Sequence, residues 1–144
     1  MTVSNRDDEK LKSEVRLRFR QLGQRFTQER EALLAVLLAT DRALTPQELY
    51  EAAQKSEPVG LTTAYRIIET LTRIGFVQVI LINGELRYRL CSPTHHHHTV
   101  CTQCQKVEEI GECQLEGLDY GSFYPTSHRV EIFGLCEQCQ KGRS

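Results

Sequence analysis

Residues 45–90 read TPQELYEAAQKSEPVGLTTAYRIIETLTRIGFVQVILINGELRYRL, and this stretch decides the fold of the first half of the chain. Thr45-Pro46-Gln47-Glu48 is a compact helix start, with Thr as N-cap, Pro at the first helical position and Glu placed to close a capping box. Leu49, Ala52 and Ala53 line the inner face of that helix. Pro58 then removes a backbone donor and biases Glu57 away from helical dihedrals, so Ser56 to Gly60 breaks the helix. A second helix starts near Gly60 or Leu61 and runs to Gly75, with Ile67, Ile68, Leu71 and Ile74 at helical spacing and Gly75 as its stop. Phe76 to Ile82 is rich in β-branched residues, Asn83-Gly84 is a type I′ turn pair, and Glu85 to Leu90 returns as a strand. Two short helices across a tight break, followed by a hairpin, outline a winged helix-turn-helix, whose second helix enters the DNA major groove by its N-terminal residues. Those residues are Thr62, Thr63, Tyr65 and Arg66, whose hydroxyl, aromatic and guanidinium groups suit phosphates and base edges. The plain alternative is a helical hairpin with polar residues facing water.

Upstream, Thr27 is placed to cap a helix whose Leu33, Leu34, Val36, Leu37 and Leu38 bury one face, and which ends near Asp41. Lys10, Lys12, Arg16, Arg18, Arg20, Arg25 and Arg30 face only Glu14 and Glu29 between residues 10 and 30, a local cationic stretch that is either a solvated face or a phosphate-binding arm. The whole chain of 144 residues carries a net charge of only −1, which argues against bulk coating of nucleic acid and leaves room for a local patch. With 40% apolar and 26% charged residues it is an ordered globular chain of one domain or two small ones. No apolar run approaches a membrane span, and the start of the chain lacks the apolar core of a secretory signal, so a cytosolic location is expected.

All six Cys and all five His fall between Cys91 and Cys139. Cytosolic thiols stay reduced, so metal ligation or redox chemistry outranks disulfides. Cys101-Thr102-Gln103-Cys104 and Cys136-Glu137-Gln138-Cys139 are two CxxC knuckles whose four thiolates suit one tetrahedral structural zinc. A thioredoxin-type reading needs a βαβ pattern, which is absent. Between the knuckles and the hairpin lies Cys91-Ser92-Pro93-Thr94-His95-His96-His97-His98. If this tract is extended, His96 and His98 share one side and His95 and His97 the other, so it can serve two sites. Cys91 can join His96 and His98 in a thiolate and imidazole set that suits zinc better than a hard cation. On the other side His128 and Glu116 are the obvious partners of His95 and His97. The bland alternative is an exposed His-rich loop that binds metals adventitiously.

From about Leu22 to Gln140 the chain resembles the ferric uptake regulator family of metal-responsive bacterial repressors. The resemblance is carried by Leu22-Gly23-Gln24-Arg25-Phe26-Thr27-Gln28-Glu29-Arg30, Glu48-Leu49-Tyr50, Thr63-Ala64-Tyr65-Arg66 and Arg87-Tyr88-Arg89-Leu90. It continues through His95 to His98 with Cys101 and Cys104, then His128-Arg129-Val130-Glu131 and Gly134-Leu135-Cys136. It implies an α+β chain: a winged-helix DNA-binding domain over residues 1–89, a hinge around 86–94, and an α/β dimerisation domain over 90–144 carrying the four-cysteine zinc. It further implies a homodimer that binds palindromic double-stranded operator DNA when its sensory metal is loaded, with no membrane and no small-molecule substrate as partner. Arg25 joins Thr62, Thr63, Tyr65 and Arg66 in the implied DNA contact.

Iron and peroxide sensors of the family usually place a His where this chain has Ala43, and iron sensors a Glu where it has Arg89. Cys91 stands two residues beyond, as in the zinc uptake regulator branch. The resemblance thus implies a zinc-responsive repressor of zinc-uptake genes, with two to three Zn(2+) ions per monomer. The ligand sets are Cys101, Cys104, Cys136 and Cys139; Cys91, His96 and His98; and His95, His97, Glu116 and His128. The fourth sensory ligand is left open among Glu108, Glu109, Cys113 and water. The short interval from Glu116 to His128 implies a trimmed helix around Leu115 to Leu118. Cys113 otherwise reads as a buried apolar residue. The rivals are an iron- or peroxide-sensing repressor, a zinc hydrolase using Glu108 or Glu109 as base, and a zinc-stapled protein adaptor.

Overall fold

The structure, a computed structural model, describes residues 7–115 and 117–142. It divides into two compact units, one ending at Pro93 and the other beginning at Thr94. The first unit contains α1 (Asp8–Gln21), α2 (Gln28–Leu38), α3 (Pro46–Gln54), α4 (Leu61–Arg73), β1 (Val77–Ile82) and β2 (Glu85–Leu90). The second contains β3 (His97–Cys101), β4 (Val107–Ile110), β5 (Glu131–Gly134) and the short α5 (Glu137–Lys141). None of the described helices is long and apolar enough to cross a membrane.

Local chemistry sets the helix starts. The Thr27 side chain accepts from the Arg30 N–H to cap α2. At α3 the box closes in both directions: Thr45 Oγ1 accepts from Glu48 N at 3.1 Å, and Glu48 Oε1 accepts from Thr45 N at 2.9 Å. Between α3 and α4 the Gln54 amide spans the break, donating to the Val59 carbonyl and accepting from the Val59 N–H. α4 buries Ala64, Ile67, Ile68 and Leu71, one face at helical spacing. Gly75 takes φ +90°, a conformation that ends the helix at little cost only for glycine.

The hairpin turns through Asn83 at φ +50° and Gly84 at φ +84°, the two positive values a type I′ turn requires. β1 and β2 pair antiparallel from Val77↔Leu90 to Ile82↔Glu85. The hairpin is tied to the segment before α3 by reciprocal backbone bonds between Leu44 and Tyr88, at 2.9 and 2.7 Å. Thus helix-turn-helix and wing share one core, built on Leu33, Leu34, Leu37, Leu49, Ile68, Leu71 and Leu90.

Two elements differ from the sequence reading. The cationic stretch belongs largely to α1, whose Leu11, Val15 and Phe19 are buried in that core. Several of its charges are spent on the fold: Arg16 pairs with Glu31 at 2.6 Å, and the Arg30 guanidinium lies 4.9 Å over the Phe19 ring. The trimmed helix around Leu115 to Leu118 is not formed among the described residues; Gly117, at φ +82°, turns the chain there. Replacing Thr45 with Ala removes the hydroxyl that accepts from Glu48 N–H, leaves the bond from the backbone N–H of position 45 to Glu48, and should lower the stability of the intact chain by about 1 kcal/mol in a denaturant titration. An unchanged midpoint would show that the Thr45 hydroxyl contributes nothing net.

Candidate metal centres and nucleic-acid interface

In the second unit β3 lies between β4 and β5, antiparallel to the first and parallel to the second. The parallel register sets Cys101 beside Gly134, so both chains leave the sheet at the same end. One delivers Cys104 from the turn after β3, and the other delivers Cys136 and Cys139 at the start of α5. The four sulfurs lie within 4.8 Å of one another. Cys104 Sγ and Cys136 Sγ are 3.7 Å apart, close to the roughly 3.8 Å edge of a tetrahedron with 2.3 Å metal–sulfur bonds and far from a disulfide. The donor set fits zinc.

Cys101, Cys104 and Cys139 differ in acidity. Burial pushes Cys101 up, but hydrogen bonds from the backbone at Cys104, Cys136 and Gln103 outweigh it and bring the thiol down to about 6. Cys139 is pushed up to about 12, first by desolvation and then by the thiols of Cys136, Cys101 and Cys104. Cys104 is raised mainly by burial.

The tract entering β3 alternates as an extended chain must. On one face, His96 Nε2 lies 3.0 Å from His98 Nε2 and 3.4 Å from Glu109 Oε1. Glu109 is the cross-strand partner of His98, which is why it shares that face, while Glu108 pairs across from Thr99 on the other and approaches Lys106. The Thr94 carbonyl accepts from His96 Nδ1 at 2.6 Å, which orients the ring so that Nε2 faces the group. Glu109 Oε1 is buried with no hydrogen-bond partner among the described residues, a costly state that a bound cation relieves. Cys91 belongs to the first unit, buried just past β2, where its N–H donates to the Phe76 carbonyl at 2.9 Å.

On the opposite face, the ring centroids of His95 and His97 are 4.8 Å apart, and those of His95 and His128 4.7 Å. The sulfur of Cys113 lies 3.3 Å from His128 Nε2. Glu116, expected here, lies outside the described residues. Cys113 is half-buried among imidazoles rather than sequestered as an apolar residue. Sequence reasoning missed this placement because β4 ends at Ile110, and past Gly111 a period of two no longer tells which face a residue joins. Burial, followed by the neighbouring His95 and His128, lowers the His97 pKa and so favours the neutral ring, the form that ligates metals.

In the first unit Thr62, Tyr65 and Arg66 are exposed along the first turns of α4, Thr63 is half-buried, and Arg25 is exposed just before α2. A groove lined by Thr27, Arg30, Thr63, Arg66, Thr70 and Arg73 joins the start of α2 to α4. The N-cap of α4 is Gly60, with no side-chain cap bond, so the N–H groups of its first turn are not capped by that side chain.

A winged helix-turn-helix unit followed by a unit bearing a four-sulfur cluster defines a metal-linked regulator architecture. A sequence profile of the Ferric uptake regulator family matches residues 21–133, and the chain belongs to that family, whose members are transcription regulators and not enzymes. It is 36% identical over 125 residues to a zinc uptake regulation protein of Mycobacterium tuberculosis, covering 82% of this chain and 96% of the relative. It is 33% identical over 128 residues to the peroxide-responsive repressor PerR of Staphylococcus aureus, covering 84% and 86%. A solved zinc uptake regulator complexed with zinc and DNA shares the fold, at a TM-score of 0.66 and 22% identity over 96% of this chain and 98% of the other.

Zinc bound by this cluster would have to displace protons from the raised thiols of Cys104 and Cys139, so its affinity there should rise with pH. Below about pH 6 Cys101 also holds a proton, and the dependence should steepen. Chelator competition measured on either side of pH 6 checks this; an affinity independent of pH would contradict the thiol assignment.

Proposed function

We propose that the chain is a zinc-responsive transcriptional repressor that binds palindromic operator DNA as a homodimer when zinc-loaded and controls zinc-uptake genes. Cys101, Cys104, Cys136 and Cys139 hold a structural zinc. Cys91, His96 and His98, completed by Glu109, hold the sensory ion. The observation that carries zinc over iron is Cys91, a thiolate donor five residues before His96, within about 17 Å of chain even when fully extended. Soft sulfur favours zinc, which is also redox inert. Two positions where the family resemblance puts iron ligands support the same reading. Ala43 is buried and offers no donor, and Arg89 is a buried cation whose Nε donates to the Asp41 carbonyl at 3.3 Å. The Mycobacterium relative, named for zinc uptake regulation, agrees.

DNA recognition rests on Thr62, Thr63, Tyr65 and Arg66 at the start of α4, with Arg25 reaching a phosphate. The second copy is supported by β5, an edge strand of the described sheet, whose Ile132 and Phe133 are 55% and 48% exposed. Because an ion held by both Cys91 and the imidazoles restrains the Ser92 to His95 connection, it favours one arrangement of the DNA heads. By linkage, DNA must then tighten zinc.

The iron or peroxide alternative keeps one specific support. Without Cys91, the set His96, His98 and Glu109 has the two-His, one-carboxylate composition used for ferrous iron, and the Staphylococcus relative is a peroxide-responsive repressor.

Random-sequence duplexes selected in excess zinc, then measured by fluorescence anisotropy, test the proposal. Binding should require zinc and weaken as log K falls linearly with log salt concentration. Cys91→Ser should lose zinc-dependent binding while keeping the zinc of the four-cysteine site. Duplex binding indifferent to zinc, or full zinc dependence in Cys91→Ser, would overturn the sensory assignment.

A further inference from the structure

The break between α3 and α4 is held by backbone bonds on either side of a single residue. Lys55, Ser56 and Glu57 donate their N–H groups back to the carbonyls of Ala52 and Ala53, which keeps the chain tied to α3 as far as Glu57. Pro58 has no N–H to give. From Gly60 onward the tie is to α4, because the Gly60 carbonyl accepts from the Ala64 N–H at 2.9 Å. Val59 stands between the two sets, its side chain 3% exposed in the core of the first unit. One side chain meets both of its backbone groups. Gln54 Nε2 donates to the Val59 carbonyl at 2.5 Å, and Gln54 Oε1 accepts from the Val59 N–H at 3.2 Å. Gln54 is the last residue of α3, so its amide closes a two-bond clamp across the break.

We propose that Gln54 is a positioning residue for DNA recognition: its clamp on Val59 fixes where α4 begins relative to α3, and with it the direction in which Thr62, Thr63, Tyr65 and Arg66 leave the first turns. The inference rests on the reading of α4 as the helix that enters the DNA groove. Nothing else at the start of α4 is as directional. Its N-cap, Gly60, makes no side-chain cap bond, and the helix is otherwise seated by the apolar face of Ala64, Ile67, Ile68 and Leu71. Apolar burial is non-directional and tolerates a small rotation, whereas two bonds to one peptide group fix an orientation. Hydrogen bonds to base edges demand that orientation, while attraction to phosphates depends on charge and much less on angle. Loss of the clamp should therefore cost sequence discrimination more than general affinity for duplex.

The test compares the full zinc-loaded chain with its Gln54→Met variant, which keeps the side-chain length and a similar helix propensity but forms neither bond. Fluorescence anisotropy is read over a salt series on a duplex selected by the wild-type chain and on a scrambled duplex of the same length. Affinity for the selected duplex should fall about tenfold, and that for the scrambled duplex should stay within about twofold. The salt slope should not change, since no phosphate contact is removed. In the free variant the Val59 amide should exchange its hydrogen faster, with Ile67 to Leu71 as protected as in the wild type. Equal losses on both duplexes, or an unchanged affinity for the selected one, would overturn the proposal. So would lost discrimination with unchanged exchange at Val59, which would make Gln54 a DNA contact itself. A wild-type chain that selects no duplex would bring down the DNA reading and this role together, whereas wild-type selection with an unaffected Gln54→Met brings down this role alone.

Discussion

The second unit depends on the alternation of side chains along an extended backbone. Four successive imidazoles turned to one side would already fill a tetrahedral shell and leave no position for a thiolate or carboxylate. Because the chain enters β3 extended, His96 and His98 turn toward Glu109, and His95 and His97 turn toward Cys113 and His128. Shifting the strand register by one residue would exchange the two sets and strand both. The antiparallel register with β4 fixes which carboxylate joins which face, and the parallel register with β5 brings the cysteine knuckles to the same end.

The sheet that creates these sites is small, with β4 and β5 of four residues each. So little apolar burial cannot by itself offset the entropy of ordering the strands, which makes metal binding part of the folding energy of this unit. The first unit is different. Its helices and hairpin bury a continuous apolar core from Leu11 to Leu90 and leave the start of α4 for recognition. One unit is thus organised by packing and the other by coordination, which suits a regulator whose ion must matter without unfolding its DNA-reading part.

Much of this was legible in the sequence because the decisive signals were local. The Thr45–Glu48 box, the Asn83-Gly84 turn and the two-residue gap in each CxxC are short-range patterns, and each maps onto the capping, hairpin and sulfur geometry found. The split of the His run was equally readable, since a period of two needs no tertiary information. What escaped reading was set by long-range pairing. α1 was seen only as charge because its buried Leu11, Val15 and Phe19 are interleaved with cations, and their burial depends on partners in α2 and beyond. Choosing Glu109 over Glu108 needed the β3–β4 register, and placing Cys113 beside His128 needed the path of an irregular segment after Gly111.

The alternation of the histidine tract should let it serve two separate ions on opposite faces. Anomalous scattering at the zinc absorption edge, from crystals of the zinc-loaded chain, tests it most directly. Two distinct peaks should flank the tract, one contacted by His96 and His98 and the other by His95 and His97, in addition to the four-cysteine zinc. A single ion shared between neighbouring histidines, such as His95 and His96, would contradict it.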